Sequence, residues 1–226
     1  MLPSSTVENY LKAIYQAQTS LEPSERLVPM GRLASALGVV PGTATTMVKA
    51  LAESSLVVYE PYAGVRLTRA GQKLAALVLR RHRLIELFLV EVLGMSWAEV
   101  HEEAETLEHA ASDRLIKRID KMLGHPSVDP HGDPIPDPTG SVATLSYHTL
   151  LTCPLGIELV LTRVTDQDAE FLRFLENSDL TPGQAVFVEA RDAAADHVVV
   201  RRKDDERIMI GMRAAAKLLV APPEST

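Results

Sequence analysis

The sequence predicts a mainly helical chain with an added β portion: an N-terminal winged helix-turn-helix, a helical middle rich in acids and histidines, and a small C-terminal β barrel. Three observations carry this. The first seventy residues read as helix, helix, turn, helix and hairpin. His101, Glu105, Glu108 and His109 fall on one stripe of a helix. Beyond a proline-rich stretch at residues 124–140, short strand-like runs follow at the spacing of a small barrel.

Each element has a local cause. Ser4 and Thr6 can cap a helix over residues 4–18 whose apolar stripe is Tyr10, Leu11, Ile14 and Tyr15. Residues 30–37 form a second short helix. Gly38-Val39-Val40 is a turn, where glycine supplies permissive backbone. Pro41 opens a third helix, Gly42 to Ala52, at the position where a missing N–H costs least. Val57–Glu60 and Val65–Thr68 make a hairpin turned at Tyr62-Ala63-Gly64, with basic residues near its tip. A long helix then runs to about Leu93, a second from Trp97 to about Ala110 with Ser96 as its cap, and a third, capped by Ser112-Asp113, to Gly124. Five prolines make residues 124–140 a stiff, extended connection. Strands are expected at Leu159–Val164, Ala185–Ala190, His197–Arg201 and Ile208–Met212, with a small helix at Asp168–Leu175. The expected domains are residues 1–71, 72–140 and 141–226.

With 46% apolar residues the chain of 226 can bury a real core. No apolar run is long enough for a membrane span, and the start lacks the pattern of a secretory signal. The single cysteine, Cys153, cannot form a disulfide within the chain, which fits a reducing, cytoplasmic setting. The net charge of −7 speaks at first against nucleic acid. Its distribution reverses that: residues 1–83 hold ten Lys/Arg against five Asp/Glu, and the remainder thirteen against twenty-five. A basic front on an acidic body fits a phosphate-facing module attached to a regulatory part. With Ala44, Val48 and Leu51 facing inward, Thr43, Thr45, Thr46 and Lys49 face out of the third helix, and Arg66 lies on the hairpin. Such side chains can reach bases and phosphates.

The 101–109 stripe brings two imidazoles and two carboxylates onto one face. His82 and Glu86, four apart, share another helix face. Gathered carboxylates repel one another, and a divalent cation resolves the conflict. Oxygen-rich sites with some imidazole suit manganese or ferrous iron. Glu102 and Glu103 read as solvated charges, and Cys153 as an ordinary small residue. A di-metal carboxylate oxidase needs Glu-x-x-His on two helices, but Thr106 and Ala98 stand three before His109 and His101. With no nucleophile–base pair either, an enzyme is not expected. A winged-helix regulator answering a small organic ligand is the other rival; four Phe and one Trp are few to line an apolar pocket.

Four stretches resemble the diphtheria-toxin-repressor family of iron- and manganese-dependent regulators: Glu8–Tyr15, Arg81–Glu86, Val100–His109 and Pro130–Pro136. The resemblance implies a winged-helix domain, a helical dimerisation and metal-binding domain, and an SH3-like barrel. It implies a homodimer on a palindromic double-stranded DNA operator, repressing metal-uptake genes. His82, Glu86 and His101 match one family metal site; Glu105, Glu108 and His109 match the other. Iron-type members carry cysteine where Glu105 stands, so a manganese-type member is implied. Asp129 and His131 match a further ligand pair, and Asp166 is the nearest match to a barrel ligand, with Asp168 and Glu170 close by. Two departures stand in the first helix. Asn9 replaces a ligand that is often Asp or Met, and Lys12 replaces a carboxylate of the short manganese members, which puts a paired-metal site in doubt.

Overall fold

The computed structural model describes residues 4–19, 21, 25–142 and 147–223. These fall into two compact units, one built from stretches within Met1–His82, Glu108–Ala111 and Pro136–Val142, the other from Arg83–Leu107, Ser112–Ile135 and Ala143–Thr226.

In the first unit, α1 (Ser5–Thr19) buries Tyr10, Leu11, Ile14 and Ala17 as an amphipathic helix should, together with the charged Glu8 and Lys12. Helix α2 (Met30–Ala36) ends in a turn at Gly38, whose φ of 63° favours glycine. Pro41 is the first residue of α3 (Pro41–Glu53), which buries Ala44, Val48 and Leu51. Strands β1 (Val57–Glu60) and β2 (Gly64–Leu67) pair antiparallel, Val57 opposite Leu67. Val28 adds a bridge to Val65 that periodicity did not announce. The hairpin stops at Leu67, one residue short of expectation. Thr68 instead caps α4 (Arg69–Glu91), its hydroxyl accepting from Gly71 N at 3.1 Å. Residues 136–142 are a tight turn in which the Asp137 carboxylate accepts from Thr139 N and Ser141 N at 2.7 and 2.9 Å.

The second unit takes the end of α4, most of α5 (Val100–Ala110) and α6 (Asp113–Met122), the latter capped by Ser112 as expected. Helix α5 begins later than Trp97. Residues 97–99 form a turn, and the Trp97 carbonyl accepts from His131 Nε2 at 2.9 Å instead of joining a helical ladder. The stiff, extended connection expected after α6 is also corrected. Residues 129–133 fold into a turn in which Asp129, His131 and Asp133 are buried. Asp129 Oδ1 accepts from His131 N and Asp133 N, both at 2.9 Å, so the side chain builds the turn. Gly132, at φ 83°, lies so close to the strand Leu159–Val164 that a Cβ would meet Thr162 O at 1.8 Å. Prolines limit the chain here, but hydrogen bonds decide its path.

The rest is one antiparallel sheet of six strands, in the order β3 (His148–Thr149), β8 (Leu218–Ala221), β4 (Leu159–Val164), β5 (Ala185–Asp192), β6 (His197–Arg202) and β7 (Arg207–Gly211). Irregular register between Leu161 and Arg163 and between Val188 and Ala190 bends the strands. Helix α7 (Ala169–Asn177), capped by Asp168, and the short α8 (Met212–Ala215) add Leu172, Leu175 and Ala215 to the core beside Leu161, Val188, Val200 and Leu218. Met212, expected to end a strand, opens α8.

Candidate metal centre and nucleic-acid interface

On α3, Thr43, Thr46 and Lys49 are exposed and Thr45 is half-buried, because Ala44 and Val48 take the inner face. The Thr45 and Thr46 hydroxyls donate to the carbonyls of Pro41 and Gly42 at 2.8 and 3.0 Å. Arg66 is exposed on β2. Tyr62, fully exposed at the hairpin tip with φ 66°, is a further surface group. The sequence marks it only as part of the turn, and its signal is an aromatic ring at a loop tip.

In the second unit, one ligand atom from each of Glu86, Asp129 and His131 lies within 4.8 Å of the others. All three side chains are buried, supplied by α4 and by the 129–133 turn. His131 donates from Nε2 to Trp97 O, and its ring stacks on the Trp97 ring with centroids 5.4 Å apart. Its Nδ1 is buried and has no hydrogen-bond partner among the described residues. Asp129 Oδ2 also lacks a hydrogen bond; the nearest cation is Arg83, whose Nε is 3.4 Å away. Burial, then the charges of Asp133 and Glu86, push the Asp129 carboxyl well above the usual aspartate range, against the pull of Arg83. Burial pushes the His131 imidazole down, which keeps it neutral. A neutral imidazole with a free lone pair beside two buried carboxylates is a donor set that fits a divalent cation. Asp133, which sequence reading passed over, belongs to this neighbourhood; Arg163 and Gln167 engage it.

His101 approaches Glu86 through Nδ1 at 3.2 Å and Glu105 through Nε2 at 3.6 Å. Asp166 does not join the group. Its carboxylate accepts from the Lys217 ammonium and from Asp168 N, and the Lys217 bond holds it below the usual range. Asp168 is spent as the α7 cap.

In the first unit, Glu108 is fully buried and both its oxygens are taken. Lys12 Nζ donates to Oε1 at 2.8 Å, and His82 Nδ1 lies 2.6 Å from Oε2. Burial pushes Glu108 up, yet the His82 hydrogen bond and the Lys12 charge outweigh it and bring it below the usual range. Beside it, His109 Nδ1 is 2.7 Å from Glu8 Oε2, and Arg81 Nη1 is 3.6 Å from Glu8 Oε1. Asn9 Oδ1 is buried with no hydrogen-bond partner among the described residues.

Comparison with known proteins agrees with this geometry. Residues 3–65 match the N-terminal DNA-binding domain of iron-dependent repressors, residues 68–137 their metal-binding and dimerisation domain, and residues 148–222 the FeoA domain. The iron-dependent repressor IdeR of Mycobacterium leprae is 28% identical over 94% of this chain and 96% of its own. The diphtheria toxin repressor of Corynebacterium diphtheriae is 34% identical over 58% of this chain and 56% of its own. A solved manganese-dependent transcriptional repressor in complex with manganese is 39% identical, with a TM-score of 0.84 over 96% of this chain and 99% of that one. A winged-helix DNA reader carrying a metal-binding dimerisation domain and a small β domain defines a metal-dependent transcriptional repressor, not an enzyme. The chain belongs to the diphtheria-toxin-repressor family, which includes manganese-type members. Among the described residues no helix is long and apolar enough to cross a membrane.

Proposed function

We propose that the chain is a manganese-responsive repressor that acts in the cytoplasm, binds a palindromic operator as a homodimer, and controls genes of metal uptake. The observation that carries the metal reading is the buried Glu86, Asp129 and His131 group, with His131 Nδ1 left without a hydrogen bond. A divalent ion would supply positive charge to this buried group of acids. Glu86 and Asp129 bind through oxygen. His131 binds through Nδ1, its ring fixed by the Nε2 bond to Trp97 O. His101 lies beside Glu86, its Nδ1 3.2 Å from Oε1. Two carboxylates to one imidazole, with no thiolate, favour manganese; ferrous iron is the second ion this donor set accepts. The only cysteine is elsewhere, its Sγ 3.1 Å from Arg191 Nη2.

With the ion bound, the 129–133 turn is held to α4, and the regulator shifts toward its DNA-binding state. A tenfold to hundredfold gain in operator affinity needs only about 1.4–2.7 kcal/mol of differential binding. In a homodimer the two α3 helices would read half-sites about one DNA turn apart, near 34 Å. The test is fluorescence anisotropy on a duplex selected from random sequence, with manganese against chelator. An increase of tenfold or more is expected, and equal affinity in both would end the proposal.

A further inference from the structure

Lys12 is buried on α1, its side chain 7% exposed, and its ammonium rests on a carboxylate that is 0% exposed. Burying a lysine is costly unless its charge is matched. Here Glu108, ninety-six positions away in sequence, matches it at 2.8 Å, while His82 holds the other carboxylate oxygen. Around them the buried charges balance: Glu8 and Glu108 against Lys12 and Arg81.

We infer that Lys12 is a tethered cation that takes the place of a metal ion at Glu108. The lysine joins α1 to Glu108 of α5 without a metal, so α1 is fixed in the metal-free chain and Glu108 and His109 contribute no ion to sensing. The residues that could seat an ion remain around the lysine. Asn9 Oδ1 has no hydrogen-bond partner among the described residues, and His109 Nε2 has none beyond an ionic contact of 3.5 Å with Glu108. Removing the ammonium while keeping the side chain's bulk leaves a buried, undercompensated carboxylate beside these two donors, and an ion can then enter.

This rests on the metal-responsive reading, but half of its test uses no metal. Full-length wild type, Lys12→Met and Lys12→Arg are compared by amide hydrogen exchange of α1 in chelator, then by manganese titration with calorimetry and native mass spectrometry. Wild type should show α1 protection that manganese changes by less than twofold. Lys12→Met should lose at least tenfold of that protection in chelator, bind one more manganese per chain, and regain protection with it. Lys12→Arg, which keeps the charge, should retain at least the greater part of the protection and gain no ion. Equal α1 protection and equal stoichiometry in wild type and Lys12→Met would overturn the inference. So would the loss of one manganese equivalent on His109→Ala in the otherwise native chain, and that measurement decides if Lys12→Met fails to fold.

Discussion

His131 gives its Nε2 proton to the carbonyl of Trp97 at 2.9 Å and lies against the Trp97 ring, so one neighbour fixes both the tautomer and the plane of the imidazole. The acceptor is a backbone atom. Trp97→Phe should therefore keep the tautomer and lower manganese affinity by less than about tenfold. His131→Ala removes the donor itself and should abolish one manganese equivalent or weaken it by tenfold or more, with the dimer intact. Calorimetric titration of both variants checks this; an unchanged isotherm for His131→Ala would remove the residue from the site.

Gly132 has no room for a side chain. Gly132→Ala would press a methyl onto Thr162 O at a backbone angle that disfavours it. A stability loss of about 1–3 kcal/mol is expected in thermal or denaturant melts. Manganese affinity should fall with it, because the same turn presents Asp129 and His131. A melt unchanged from wild type would show that the turn relaxes without cost.

Thr43→Ala and Thr46→Ala should weaken operator binding more than binding to random duplex, since hydroxyl and methyl groups on α3 read base edges. Arg66→Ala should weaken both and lower the salt slope by about one unit through loss of a phosphate contact. Salt-titrated anisotropy on both duplexes separates these effects. Equal losses on random DNA for the threonine variants would mean that they do not read sequence.

Asp166 is held below the usual aspartate range, first by its hydrogen bond from Lys217. A carboxyl lowered by folding stabilises the native state above its unfolded pKa, and that contribution is lost as pH falls through the lower folded value. In chelator, Asp166→Asn should lower the melting temperature at neutral pH, and the gap should close as the pH drops below the ordinary aspartate value of 3.8. Manganese stoichiometry should not change. A lost equivalent would return Asp166 to the ligand set.

The sequence made some of this legible and hid the rest for definite reasons. Ala44, Val48 and Leu51 repeat at helical spacing, so the inner face of α3 and the outward threonines could be read directly. Glu86 and His101 carried a residue-type signal, but Asp129 and His131 looked like loop polarity, because nothing local says that a proline-rich stretch will fold inward. The Lys12 and Glu108 pair is invisible to any periodicity, being set by packing between distant segments. The Asp166 bond with Lys217 is hidden for a related reason, since its partner stands far along the chain. A helix is expected from Trp97, whereas residues 97–99 form a turn whose Trp97 carbonyl serves His131. Strand β8 was missed as four small or aliphatic residues after a helical turn.

Strand β8 is made after every other strand of its sheet, yet it lies between β3 and β4, with His148 opposite Val220 and Val164 opposite Leu218. During synthesis β3 and β4 must therefore wait with unpaired edges until residues 218–221 leave the ribosome. Pairing across so long a loop is slow, and an open edge invites another chain. The winged helix waits less: its own helices and strands are made before α4 ends, and Glu108, on which Lys12 rests, follows in α5. A nascent chain thus acquires its DNA-reading surface early and its sheet last, which makes the interval before β8 emerges the period of greatest exposure to aggregation and to proteases.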